Sequence, residues 1–141
     1  MNFYVDTSVL IAAFTNEAAK GLAQNWLGIQ DEGSLLSSDW VATEFSAALS
    51  IKIRSGQING THRAAALAGF QRLMADSFTV LSSEKAHFRT AARFADQFAT
   101  GLRASDALHL ALTDDARATM VTLDHRLVSA ATSLGLNAQL L

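Results

Sequence analysis

The chain has 141 residues, half of them hydrophobic and 17% charged, which suits a single domain spanning residues 1–141 with a substantial core and excludes a disordered chain. It contains no cysteine, so neither a disulfide framework nor a thiolate zinc site is available. A net charge of −2 permits a nucleic-acid partner without suggesting one.

Phe3-Tyr4-Val5 is a short β-prone run, and Asp6-Thr7-Ser8 can cap the next segment. No basic segment precedes it and no apolar stretch approaches the ~20 residues that span a bilayer, so a cytoplasmic protein without membrane contact is expected. The pattern predicts helices over Val9 to Phe14 and about Asn16 to Gln30, the second closed by Gly33. Leu35-Leu36-Ser37 reads as a second strand. Ser38 or Asp39 caps a helix from about Trp40 to Arg54, ended by Gly56. Thr61 starts another, with Leu67, Phe70, Leu73 and Met74 at core spacing. Phe78 to Leu81 is a third strand, and Ser83 opens a helix to about Phe98. Ser105 to Thr113 is a nearly all-apolar helix, Thr119 to Leu123 a fourth strand, Arg126 to Leu134 a helix, and Ala138 to Leu140 a short last strand. Strands alternating with helices imply a three-layer α/β/α sandwich around a mainly parallel sheet. Ligands of such sheets bind beyond the carboxyl ends of the strands.

Four acids stand where that rule points. Asp6 follows the first strand, Asp124 the fourth, and each has the competing role of helix cap. Glu44 lies beside the apolar stripe Val41, Phe45, Ala48 and Leu49. A carboxylate there is partly desolvated and needs a partner or a cation, although an edge position on the helix would explain it too. Asp106 opens the apolar helix Ala107-Leu108-His109-Leu110-Ala111, where capping by Ser105 or Asp106 is the plain alternative. Setting these four of the thirteen acids aside as ligands leaves nine against eleven Lys and Arg. His109 reads as a core histidine, and Lys85, Arg89 and Arg93 as a solvated basic face.

In order and spacing, Asp6-Thr7-Ser8, Glu44 within Val41-Ala42-Thr43-Glu44-Phe45, Asp106-Ala107-Leu108-His109-Leu110-Ala111 and Thr122-Leu123-Asp124 resemble the four acidic motifs of the PIN-domain family, in particular its short VapC-type toxins. The resemblance covers essentially the whole chain. It implies an endoribonuclease dependent on Mg²⁺ or Mn²⁺, with Asp6, Glu44, Asp106 and Asp124 as catalytic metal ligands. Beside these, Ser8 has two readings, a hydrogen bond to a carboxylate or bound water and a plain capping role, and Arg103 is either a contact for substrate phosphate or a solvated arginine before the helix. The resemblance further implies a VapB-like antitoxin partner and a homodimer.

Other classes place acids at strand ends as well. A receiver-type signalling domain needs an acidic pair after strand one, an Asp after strand three and a late lysine. Asp6 is unpaired, Leu81 is followed by Ser82-Ser83, and no lysine follows Lys85. A phosphatase with an aspartyl nucleophile wants a second Asp where Ser8 stands. A PIN-type DNA nuclease shares the chemistry but is generally longer, and a non-catalytic PIN-like binding module would be expected to have lost acidic positions.

Overall fold

In a computed structural model describing all 141 residues, five strands form one sheet: β1 (Phe3–Val5), β2 (Leu35–Ser38), β3 (Phe78–Leu81), β4 (Thr119–Thr122) and β5 (Ala138–Leu140). Their order is β3-β2-β1-β4-β5 and every pairing is parallel. A mainly parallel sheet was expected, and the observed one has no antiparallel member. The helices α1 (Thr7–Phe14), α2 (Lys20–Gly28), α3 (Asp39–Arg54), α4 (Gly60–Ser77), α5 (Lys85–Ala95), α6 (Ala104–Asp115) and α7 (His125–Ser133) provide the crossovers that parallel pairing requires. The order reverses direction at β1, which pairs β2 on one side and β4 on the other. Chain segments leaving the carboxyl ends of these three neighbours therefore converge.

Local chemistry accounts for the element ends. Ser38 caps α3, its Oγ accepting from the Val41 N–H at 3.4 Å, and Asn59 caps α4 by accepting from His62 N–H at 2.9 Å. The long second helix expected from Asn16 to Gln30 is confined to α2. Its first residues form a turn instead, where Asn16 Nδ2 donates to the Gln57 carbonyl at 3.1 Å and Glu17 pairs with Lys52 at 2.6 Å. Lys52 is buried, and this pair plus Gln57 Oε1 at 3.3 Å satisfies its ammonium. The helix expected to run from Ser83 to Phe98 begins at Lys85, because Glu84 and His87 form a reciprocal capping box. It stops at Ala95, and Phe98–Thr100 is a separate 3₁₀ turn ended by Gly101 at φ +65°.

Burial follows the predicted pattern. Tyr4 and Val5 of β1 and Met120 and Val121 of β4 are fully buried, as a strand covered on both faces demands. On one side Phe45 of α3 stacks on Phe70 of α4, with centroids 4.1 Å apart and planes at 10°, and meets Phe14 of α1 edge-on at 6.1 Å. The α4 backbone passes so close to Phe14 that a Cβ on Gly69 would lie 2.8 Å from its ring. Phe45 thus joins three helices beside the helix turn that carries Glu44. Truncating it to alanine is expected to cost about 3–5 kcal/mol of stability, read as a lower urea midpoint with an unchanged slope.

Candidate active site

Asp6 ends the central strand, and its extended backbone (φ −68°, ψ 153°) keeps its side chain on the same side as Tyr4. It stands at the N-cap position of α1 yet its side chain makes no capping hydrogen bond. Instead Asp6 Oδ2 accepts from Ser8 Oγ and from Thr122 Oγ1, each at 2.8 Å. Ser8 Oγ in turn accepts from the Leu123 N–H at 3.1 Å. The carboxylate is 6% exposed, and both donors fall on one oxygen. The buried charge is therefore held by hydroxyls from α1 and β4, while Oδ1 receives no protein donor.

Glu44 lies on the second turn of α3, half-buried as its place beside the apolar stripe implies. Its Oε1 accepts from Thr7 Oγ1 at 2.7 Å and from His109 Nε2. Burial pushes this carboxyl up, but the His109 hydrogen bond, attraction to His109 and the Thr7 and Ser105 hydroxyls outweigh it. The net effect is a carboxyl below its usual range, ionised at neutral pH.

His109 is fully buried on α6, one turn after Asp106 and on the same helix face. The expectation of a core histidine describes its burial but not its contacts. Nε2 meets Glu44, and Nδ1 lies 2.7 Å from the Tyr4 hydroxyl, itself 2.7 Å from Ser38 Oγ. Burial raises the Tyr4 phenol far above its ordinary range, so it stays protonated. Side-chain donor atoms of Asp6, Glu44 and His109 lie within 4.8 Å of one another.

The other two acids expected at the site stand outside that tight group. Asp106 is in the first turn of α6, whose N-cap is Arg103 rather than Ser105 or Asp106. Burial and then the negative charge of Asp6 push its carboxyl up to about 6, with Glu44 and Asp124 adding to the effect and His109 opposing it. Asp106 is therefore electrostatically part of the cluster. Asp124 is exposed and caps α7, its Oδ1 accepting from the Arg126 N–H at 2.9 Å. Asp106 and Asp124 share the wall of a cleft of about 640 Å³ with Arg103, His125 and Arg126. A larger cavity, about 700 Å³, opens near the amino ends of β2 and β3 and holds none of these acids.

The donor set suits a hard divalent cation. It is rich in carboxylate oxygen, lacks sulfur, and no Lys or Arg ion pair neutralises it. The raised Asp106 carboxyl reflects its burial first and that excess negative charge second. Thr7 and Thr122, which orient the acids, and Tyr4, which backs His109, were not singled out by sequence reasoning, and Ser38 was read only as a helix cap. Thr7 and Thr122 sit inside the quoted motifs, and polar residues there were the available signal.

A PIN domain family model matches residues 3–132. The chain belongs to that family. No curated protein matches it in sequence. Among solved structures, this PIN domain is similar to VapC20 of Mycobacterium tuberculosis, described as a sarcin–ricin loop cleaving toxin, at 18% identity and a TM-score of 0.72 over 92% of this chain and 95% of that one. It is similar also to PAE2754 of Pyrobaculum aerophilum, at 21% identity and a TM-score of 0.71 over 98% and 83% of the two chains. VapBC2 of Rickettsia felis, solved with a promoter DNA fragment, matches at 10% identity and a TM-score of 0.70 over 100% and 99%. At these identities the likeness is one of fold.

The raised Asp106 carboxyl makes the metal-free PIN domain pH-sensitive in a defined direction. A carboxyl whose folded pKa is raised loses stability as pH climbs from its unfolded value, 3.8, through about 6. Without divalent ions, Asp106→Asn is expected to melt above wild type at pH 7 and level with it below pH 4, as thermal melts across that range would show.

Proposed function

We propose that this PIN domain, taken as one unit over residues 1–141, is a metal-dependent endoribonuclease and the toxin of a VapBC-type pair. The observation that carries the reading is the buried Asp6 carboxylate, held by two hydroxyls on one oxygen and facing Glu44 across the ends of adjacent chain segments. A protein that needed Asp6 only as a helix cap would spend its oxygens on backbone N–H groups, and here it does not. The fold shared with a toxin described as cleaving the sarcin–ricin loop, and with a VapBC complex, supports RNA as substrate and an antitoxin as partner.

Asp6 and Glu44 would hold Mg²⁺ or Mn²⁺ most directly, with Asp106 completing the cluster and Asp124 at its rim. A cation there supplies Lewis-acid activation and charge neutralisation for hydrolysis of a phosphodiester. The chain's own groups do the rest. Ser8 and Thr122 fix the Asp6 carboxylate, and Thr7 fixes Glu44. Asp106, pushed up to about 6, is the acid best able to hold a proton near neutral pH. Arg103 borders the cleft beside Asp106 and Asp124, where a phosphate of the substrate strand would find a cationic partner. No helix is long and apolar enough to cross a membrane. A homodimer working in the cytoplasm completes the reading.

Purified protein, free of any antitoxin, is expected to cut pooled RNA into discrete fragments with Mg²⁺ or Mn²⁺ and not with EDTA. Asp6→Asn should fold normally and reduce cleavage to background. Cleavage by Asp6→Asn at the wild-type rate would sink the assignment, and cleavage of DNA alone would transfer it to a DNA nuclease. Saturating Mn²⁺ should also raise the melting temperature by several degrees, since a hundredfold excess over Kd stabilises the folded form by about 2.7 kcal/mol. An unchanged melting curve would remove the metal site.

A further inference from the structure

His109 supplies one of the three donor atoms that lie within 4.8 Å of one another, so proximity alone would make it a metal ligand. Its hydrogen bonds argue otherwise. Both ring nitrogens are already engaged by protein, Nε2 by Glu44 Oε1 and Nδ1 by the Tyr4 hydroxyl. Glu44 Oε1 already receives the Thr7 hydroxyl and is a carboxylate oxygen, so it stands as the acceptor toward Nε2. The Nε2 atom therefore carries a proton whether the ring is neutral or an imidazolium, and a protonated nitrogen has no lone pair for a cation.

Behind the ring the chain of groups continues inward. Tyr4 is 2.7 Å from Ser38 Oγ, and Ser38 Oγ accepts from the Val41 N–H at 3.4 Å. All of Tyr4, Ser38 and His109 are fully buried. With a neutral ring, Ser38 donates to Tyr4, Tyr4 to Nδ1, and Nε2 to Glu44, so each proton points toward the carboxylate. With an imidazolium, Nδ1 donates to Tyr4 and Tyr4 to Ser38, and the Nε2 donor is unchanged. The ring is thus fixed from behind by Tyr4 in the middle of β1 and Ser38 at the end of β2, and it presents a single donor to Glu44.

We infer that His109 is a positioning residue and not a metal ligand: backed by Tyr4 and Ser38, its Nε2–H holds Glu44 Oε1 so that the rest of that carboxylate faces the cation. This rests on the reading of Glu44 as a ligand. It assigns the histidine the outer role that orients ligands in metal sites, whose loss costs about 10–100-fold in affinity.

The decisive observation is the ¹⁵N and ¹H spectrum of the histidine rings in labelled wild-type protein, first metal-free and then saturated with Mg²⁺. Retention of the His109 Nε2 proton in both states is expected. Its absence without metal, or its loss on adding Mg²⁺, overturns the inference. Calorimetric titration with Mn²⁺ supplies the second test. His109→Gln, whose amide can place an N–H near the Nε2 position, should stay within a few-fold of wild type, whereas His109→Leu should weaken binding about 10–100-fold. Equal losses in two folded variants would argue against a donor role, and if His109→Leu does not fold the spectrum still decides. Wild type that binds neither ion would instead sink the metal site of the proposed function, while the metal-free spectrum would still test the Nε2–H donor.

Discussion

A carboxylate buried at the end of the central strand must be hydrogen-bonded or neutralised, since an unpartnered charge in such a place costs several kcal/mol. Asp6 meets that demand with hydroxyls drawn from both sides, Ser8 from the helix that follows it and Thr122 from the neighbouring strand. The placement of both depends on β1 pairing with β4 in parallel register, Val5 opposite Val121. The sheet order that puts β1 in the middle is thus also what makes the Asp6 charge tolerable. The same order brings β2 alongside, and with it Ser38 and the start of α3 that carries Glu44. Fold and site meet in one constraint.

The acids around Asp6 are held in different ways, and the differences follow from where each one sits. Glu44, reached by an imidazole and a hydroxyl, is ionised more easily than usual, whereas Asp106, half-buried among negative neighbours without such donors, resists ionisation. Asp124, in solvent, spends one oxygen on a backbone N–H of α7. Charge is therefore held more firmly at Glu44 than at Asp106, and the arginine-lined cleft begins on the Asp106 side.

Much of the frame could be read from sequence, because hydrophobic runs and cap residues are local signals. β3 and β5 match their predicted limits, and the acids were visible as charges that interrupt apolar stretches. Helix ends were less legible where partners distant in sequence decide them. The turn before α2 is held by Lys52 and Gln57, and nothing near Asn16 reveals that. The support of the acids was hidden for the same reason. Tyr4 and His109 are 105 positions apart, and each taken alone is an ordinary buried ring. Only the packing of α6 on the sheet turns them into a connected pair behind Glu44.

The bond from Thr122 to Asp6 spans 116 positions, nearly the whole chain. During synthesis from the amino terminus, β1, α1 and α3 emerge well before β4 can dock beside them. Until then Asp6 lacks one of its two hydroxyl donors and the sheet lacks the neighbour that encloses it. A chain that still lacks β4 has therefore not gathered its acids around a supported Asp6, and the site acquires its shape only once β4 has docked.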